Sequence, residues 1–203
     1  MNEKYILTEE RQETLDGVTV YRIRALIDFG SVKTGDYGGY IETEENLSHE
    51  GNCWVSGNAI VSGHVRVSGS ARVSGNATVS GNAIVSGHVR VSGSARVSGN
   101  AIVFGHARVS DNATVSGDAT VSGDAIVSGN AIVSGCARVS GSAEVSGDAR
   151  VSDSTIVSGH VRVSGYARVS GSAEVSGSAE VSGYARVSGS AEVSGNAVIG
   201  ARA

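Results

Sequence analysis

Four of the five histidines, His64, His88, His106 and His160, occupy the same place in a six-residue repeat. Imidazole ordinarily exchanges its proton near neutral pH, so these side chains are the first candidates for a general base. Arginine forms the second chemically capable set: Arg72, Arg90 and Arg108 recur at eighteen-residue intervals, as do Arg150, Arg168 and Arg186. A guanidinium is a permanent cation whose planar fork of donors matches phosphate and carboxylate oxygens, so aligned arginines would hold an anion. A third feature is the glycine cluster Gly35, Gly38 and Gly39, which invites comparison with a phosphate-binding loop. No Gly-Lys pair followed by Ser or Thr accompanies it, and no strand-to-helix pattern surrounds it, so it reads as a turn.

Whether any of these groups meet depends on the element that carries them. From Val55 to Val198 the chain repeats one hexad, beginning VSGNAI and VSGHVR, twenty-four times without an insertion. A short fixed period is the signature of a solenoid, whose units bury their apolar faces against one another. The first hexad position is always Val. The fifth is Ala except at Val65, Val89, Thr155 and Val161. Large and small residues at alternate inward places fill a narrow interior. The third position is Gly except at Asp111 and Asp153, which predicts a left-handed turn there. Side chains flanking Val, Ser after it and Arg, Ile, Thr or Glu before it, are expected to point outward.

An aliphatic residue followed four places later by a small one resembles the hexapeptide-repeat family. That resemblance implies an all-β fold: a single-stranded, left-handed parallel β-helix of triangular section, with three hexads to a coil and about eight coils over 55–198. The stretch GDYGGYIETEENLSHEGNCWVSGNA is also similar to a group of bacterial and phage-borne hexapeptide-repeat proteins with a short β cap, commonly labelled acyltransferases. Acyltransferases of the family use a His at a subunit interface as general base, in a trimer, with acetyl-CoA as donor.

With eighteen residues to a coil, His88 and His106 stack, Asp124 follows in the same column, and the two arginine sets each form a ladder on one face. Such a trio could polarise a base or hold a metal. The corner position accepts Asn, Ser, Asp, His, Tyr and Cys alike, however, and no loop interrupts the coils. The weight therefore falls on solvated corners, with no catalytic residue and no metal site assigned; His88 and His106 stay as candidates under the acyltransferase alternative. Glu144, Arg162 and Glu180 alternate in sign, the ordinary way in which such a face satisfies itself. Phe104, which replaces Ser at an outward position, and Tyr166 with Tyr184, one coil apart at a corner, are candidate partner contacts.

Residues 1–48 read as an N-terminal β cap and ramp, and 49–203 as the solenoid. Strands are expected at Tyr5–Leu7 and Val18–Leu26, separated by a turn at LDG and followed by a Gly-rich loop. Leu47 and Cys53 fall at the small inward position and Gly51 at the turn, so the ramp slides into the repeat register. Residues 1–54 carry eleven acids against five Lys and Arg, while 55–203 carry nine acids against eleven Arg. Neither half is biased enough to announce nucleic acid or a membrane as partner. No apolar run suits a membrane span or signal peptide, and two widely separated cysteines, Cys53 and Cys136, point to reduced thiols; a cytoplasmic location is the expectation.

Residues 55–78 and 79–102 are identical except for Thr78 against Ile102. Twenty-four residues are four hexads, not a whole number of coils, so each copied side chain lands on a different face. The sequence thus favours a non-catalytic structural or partner-binding rod without a cofactor, assembled as a homo-oligomer, either a dimer through an exposed terminal coil or a trimer. The alternatives are acyl transfer from acetyl-CoA and anion or nucleic-acid binding by the arginine columns.

Overall fold

Every sixth residue along the repeat turns the chain, and this decides the architecture. In the computed structural model, which describes residues 3–201, the repeat glycines take φ values from +62° at Gly183 to +87° at Gly159. Asp111 and Asp153 adopt the same conformation, at +61° and +63°. Each left-handed turn swings the backbone round a corner, and a short strand such as Arg90–Val91 follows. Three strands and three corners close one coil. The strands stack into three sheets, of eleven, nine and eight members, with parallel pairing throughout the prism.

The ladder runs between residues one coil apart. His88, Arg90 and Ser92 donate their backbone N–H groups to the carbonyls of Gly105, Ala107 and Val109 at 2.7, 3.0 and 2.9 Å. The first-position Val and fifth-position Ala side chains form one continuous core, closed to solvent from Val55 through Val181. Each buried Val stabilises the fold by about 1.5 kcal/mol or more before conformational entropy is subtracted. Thr155, which stands where Ala otherwise sits, is also buried, and its hydroxyl donates to the Ser152 carbonyl at 2.8 Å.

The corners carry their own ladders. Asn82 donates to Asn100 at 3.0 Å, and Asn100 to Asp118 at 2.8 Å. Asn112 donates to Asn130 at 3.2 Å, and Asn130 to Asp148 at 3.0 Å. An amide both donates and accepts and so passes the chain along, whereas a carboxylate accepts only; each run ends at its Asp for that reason.

The cap extends one face of the prism. Strand β1 (Tyr5–Glu13) pairs antiparallel with β2 (Thr19–Ala25), and β2 pairs antiparallel with β3 (Tyr37–Ile41). Strand β3 then pairs in parallel with Ile60–Val61, which joins cap and solenoid in one sheet. Two expectations change here. The first strand continues six residues past Leu7, because pairing with β2 holds a polar segment that propensity alone would leave as a turn. The glycine-rich stretch is likewise partly a strand. A Cβ at Gly38 would stand 2.7 Å from the Val55 carbonyl oxygen, and one at Gly39 would stand 2.6 Å from that of Ala59. These glycines let β3 lie close against the prism.

The ramp completes a layer of its own: Tyr40–Ile41, Leu47 and Trp54–Val55 occupy the three faces beneath Ile60–Val61, Val67 and Arg72–Val73. The prism therefore has nine layers, one more than the regular hexads alone provide. Cys53 is fully buried and Gly51 turns at φ +67°, as their register requires. Leu47, expected at the small inward position, is buried at the Val position instead, paired with Val67 twenty residues on, because the first layer is two residues longer than a regular coil. Over this layer sits Lys4, also buried, whose Nζ donates to the Cys53 carbonyl at 3.0 Å and to its Sγ at 3.3 Å, and lies 4.9 Å above the Phe29 ring. Tyr5 stacks on His49 at 4.3 Å and donates its hydroxyl to the Leu47 carbonyl at 2.7 Å. Nothing in the residues around Lys4 signals this burial; it follows from the cap folding over an otherwise open first coil.

Candidate functional site

The inward Val column sets the register of everything outside it. Because Val73, Val91 and Val109 pair directly, the residues before them pair too, and Arg72, Arg90 and Arg108 form three successive rungs on one face. The preceding corner column places His88 beside His106, with ring centroids 4.9 Å apart and planes 3° from parallel. Asp124 follows at the same corner. These two columns, one of cations and one of imidazoles, line a single groove of about 590 Å³ together with Asn52, Ser70 and Ile126. The groove unites residues that sequence spacing treats as two separate sets. Ser70 and Asn52 belong to it as well, and their place one and two eighteen-residue coils before His88 is the signal by which they could have been found.

A loop of the cap overhangs one end. Arg72 Nη1 donates to the Ser31 hydroxyl at 2.8 Å, which fixes the first rung. The loop is held in turn by Asp28, whose carboxylate accepts from the Thr34 backbone N–H at 2.8 Å and the Thr34 hydroxyl at 2.9 Å, and pairs with Lys33 at 2.9 Å. The Thr34 N–H contributes most to holding the Asp28 carboxyl at a pKa of about 2, below the usual carboxylate value, with the Lys33 ammonium next. A lowered folded-state value favours the native loop at pH above the ordinary carboxylate range and loses that support as pH falls toward 2. Amide exchange at Thr34 is therefore expected to accelerate between about pH 4 and pH 2 beyond the intrinsic trend. Asp28→Asn should exchange faster at pH 6 and show no such step; an unchanged pH profile in that variant would refute the role given to Asp28.

The remaining candidates are dispersed. Arg150, Arg168 and Arg186 pair rung by rung on another face. The adjoining corner carries Asp148 and then Tyr166 and Tyr184, whose exposed rings stack at 5.0 Å. His64 and His160 stand away from the groove pair: His64 lines a smaller recess with Glu42, Glu45 and Arg66. The alternating column is partly realised, with Arg162 Nε 4.0 Å from Glu144 Oε2. Phe104 is exposed, as read from the sequence, and it does not stand alone: Ile84 and Ile102 are exposed on the same face, Ile84 pairing with Ile102 one layer on. Cys53 is buried and Cys136 exposed, both as free thiols. Among the described residues no group of three or more His, Cys, Asp or Glu is placed to hold a metal ion, and no helix is long and apolar enough to cross a membrane.

Comparison with known families agrees with the coil geometry. The model described as the YdcK beta solenoid repeat matches residues 71–87, 107–123, 115–129, 119–135 and 143–159. Three of these matches begin at 71, 107 and 143, each two eighteen-residue coils beyond the last. No curated protein matches the chain. With its parallel strands stacked coil on coil, the chain is a repeat β-solenoid, similar over those segments to the YdcK β-solenoid repeat.

Proposed function

We propose that this protein is a non-catalytic scaffold, a stiff three-sided rod that acts by structure or by binding a partner through its outward side chains, and that it works as a homo-oligomer. One observation carries the reading: inward residues survive duplication of the repeat while outward groupings do not. Arg66 and Arg90 are the same residue of the copied block, yet Arg66 pairs with Ile84 on one face and Arg90 with Arg72 and Arg108 on another. Arg72 and its copy Arg96 are separated likewise, Arg96 lying between Thr78 and Thr114. Growth of this kind lengthens a rod and leaves its core seamless, but it redistributes any constellation that needs aligned groups.

A second reading, acyl transfer, draws support from the stacked His88 and His106 beside the arginine column. There an imidazole would take the proton of an acceptor hydroxyl or amine as its oxygen or nitrogen attacks the thioester carbonyl of acetyl-CoA, and the CoA thiolate would leave and be protonated. The deciding experiment couples solution mass to turnover. The scaffold predicts a discrete multimer that releases no CoA above background from acetyl-CoA with a panel of amines and hydroxyl acceptors. Reproducible transfer that disappears in His88→Ala or His106→Ala would replace the scaffold with the enzyme.

A further inference from the structure

We propose that the groove along Arg72, Arg90 and Arg108 binds short linear oligophosphates, laid parallel to the prism axis. This goes beyond the scaffold reading and does not depend on it. Three guanidiniums stand in direct cross-strand register, an arrangement in which like charges oppose folding unless something neutralises them. Among the described residues, the carboxylates within ion-pairing distance of a cation serve Arg22, Lys33 and Arg162, not these three. The contrast lies within one column: further along it, Glu144 faces Arg162 at 4.0 Å, so that part of the face supplies its own counter-charge.

The uncompensated run is also bounded. Trp54 pairs with Arg72 at one end and Ile126 with Arg108 at the other, leaving three charged rungs. At strand spacing these span roughly 10 Å. A ligand that satisfies them carries several negative charges in a line, with oxygens that accept from forked donors; a chain of phosphates does both. The corner that adjoins the arginine strand supplies Ser70 and the two parallel imidazoles, further donors at the same spacing. Ser31 anchors the first guanidinium at 2.8 Å, and Asp124 at the far end disfavours anions beyond the third rung. The other arginine ladder differs in this respect: Arg150, Arg168 and Arg186 adjoin Asp148 and two tyrosines, so it serves as a matched control of equal charge.

Calorimetric titration of the full chain with inorganic tripolyphosphate and with monophosphate, at about 50 and about 200 mM salt, tests the site. Tripolyphosphate is expected to bind at least about tenfold more tightly than monophosphate, and more weakly at the higher salt. The triple variant R72Q/R90Q/R108Q should lose about a hundredfold in affinity or more, while R150Q/R168Q/R186Q changes it by less than about threefold. All six side chains are exposed, and removing like charges from register relieves repulsion, so both variants should unfold at or above the wild-type transition and the comparison reads binding and not loss of fold. A nucleoside triphosphate that binds about tenfold better than tripolyphosphate would identify the nucleotide as the source of the phosphate chain; equal affinity would identify the chain itself. Equal losses in the two triple variants, or no binding by the wild-type protein at the lower salt, would overturn the proposal.

Discussion

Val115→Asp is expected to break the prism at its midpoint, whereas Thr114→Asp, one residue earlier, is expected to leave it standing. Val115 is closed to solvent and lies in register between Val97 and Val133 of the adjoining coils. A carboxylate there meets only apolar side chains. It must either stay charged without a partner or take up a proton, and both cost several kcal/mol. We expect a loss of about 4 kcal/mol or more, a large part of the 5–15 kcal/mol typical of a whole folded domain. In a solenoid each coil touches only its neighbours, so the damage should centre on the two interfaces that Val115 makes. Hydrogen exchange would then show lost protection nearest residues 97–133, decaying toward the cap. Thr114 points outward from the same strand, and a charge there should cost less than about 0.5 kcal/mol. Similar denaturation midpoints for the two variants would mean that inward and outward sides have been misassigned.

The second large effect belongs to the corners. Gly105 sits at φ +79°, and a Cβ added to it would stand 3.0 Å from both the nitrogen and the oxygen of Gly123 in the next coil. Gly105→Val combines a left-handed conformation that β-branched residues resist with a contact the stacked backbone cannot easily relieve. The expected cost is roughly 2–4 kcal/mol. Gly105→Asp should cost under about 1 kcal/mol, for a reason visible elsewhere in the prism. Asp111 and Asp153 occupy the same turn, and each directs its carboxylate to the N–H of the turn residue one coil on, Gly129 at 3.0 Å and Gly171 at 2.9 Å. That bond offsets part of the strain. Urea denaturation of both variants is the measurement, and equal destabilisation would count against the compensating hydrogen bond.

These two cases also show how much of the molecule is legible in the amino-acid order. The inward Val and Ala columns, the left-handed turns and the outward arginine ladders all follow from periodicity, because in a solenoid sequence spacing is spatial spacing. His88 and His106 could be stacked on paper for that reason, and the rings do stack at 4.9 Å. The cap obeys no such rule. Strand β1 runs to Glu13 past an irregularity after Leu7, and the pairing of Arg11–Glu13 with Tyr21, Val20 and Thr19 of β2 supplies what those polar residue types do not. Lys4 is buried beneath Phe29 with its ammonium turned toward Cys53, forty-nine residues away in the chain. Gly38 and Gly39 resembled a loop because their real constraint, the nearness of Val55 and Ala59, lies at the start of the prism, well along the chain.

By itself, then, the sequence determined an all-β solenoid, the residues of its core, the places where it turns and which outward side chains share a column. It could do so because each repeat makes the same contacts with its neighbours, so one hexad contains the rule for all. Only the tertiary structure decided that the ramp completes a ninth layer, that the cap joins one face through β3, and that Ser31 reaches Arg72. It alone joined the histidine corner and the arginine face into one groove, since the angle between a corner and its adjoining strand is a property of the closed coil, and no periodicity along the chain encodes it.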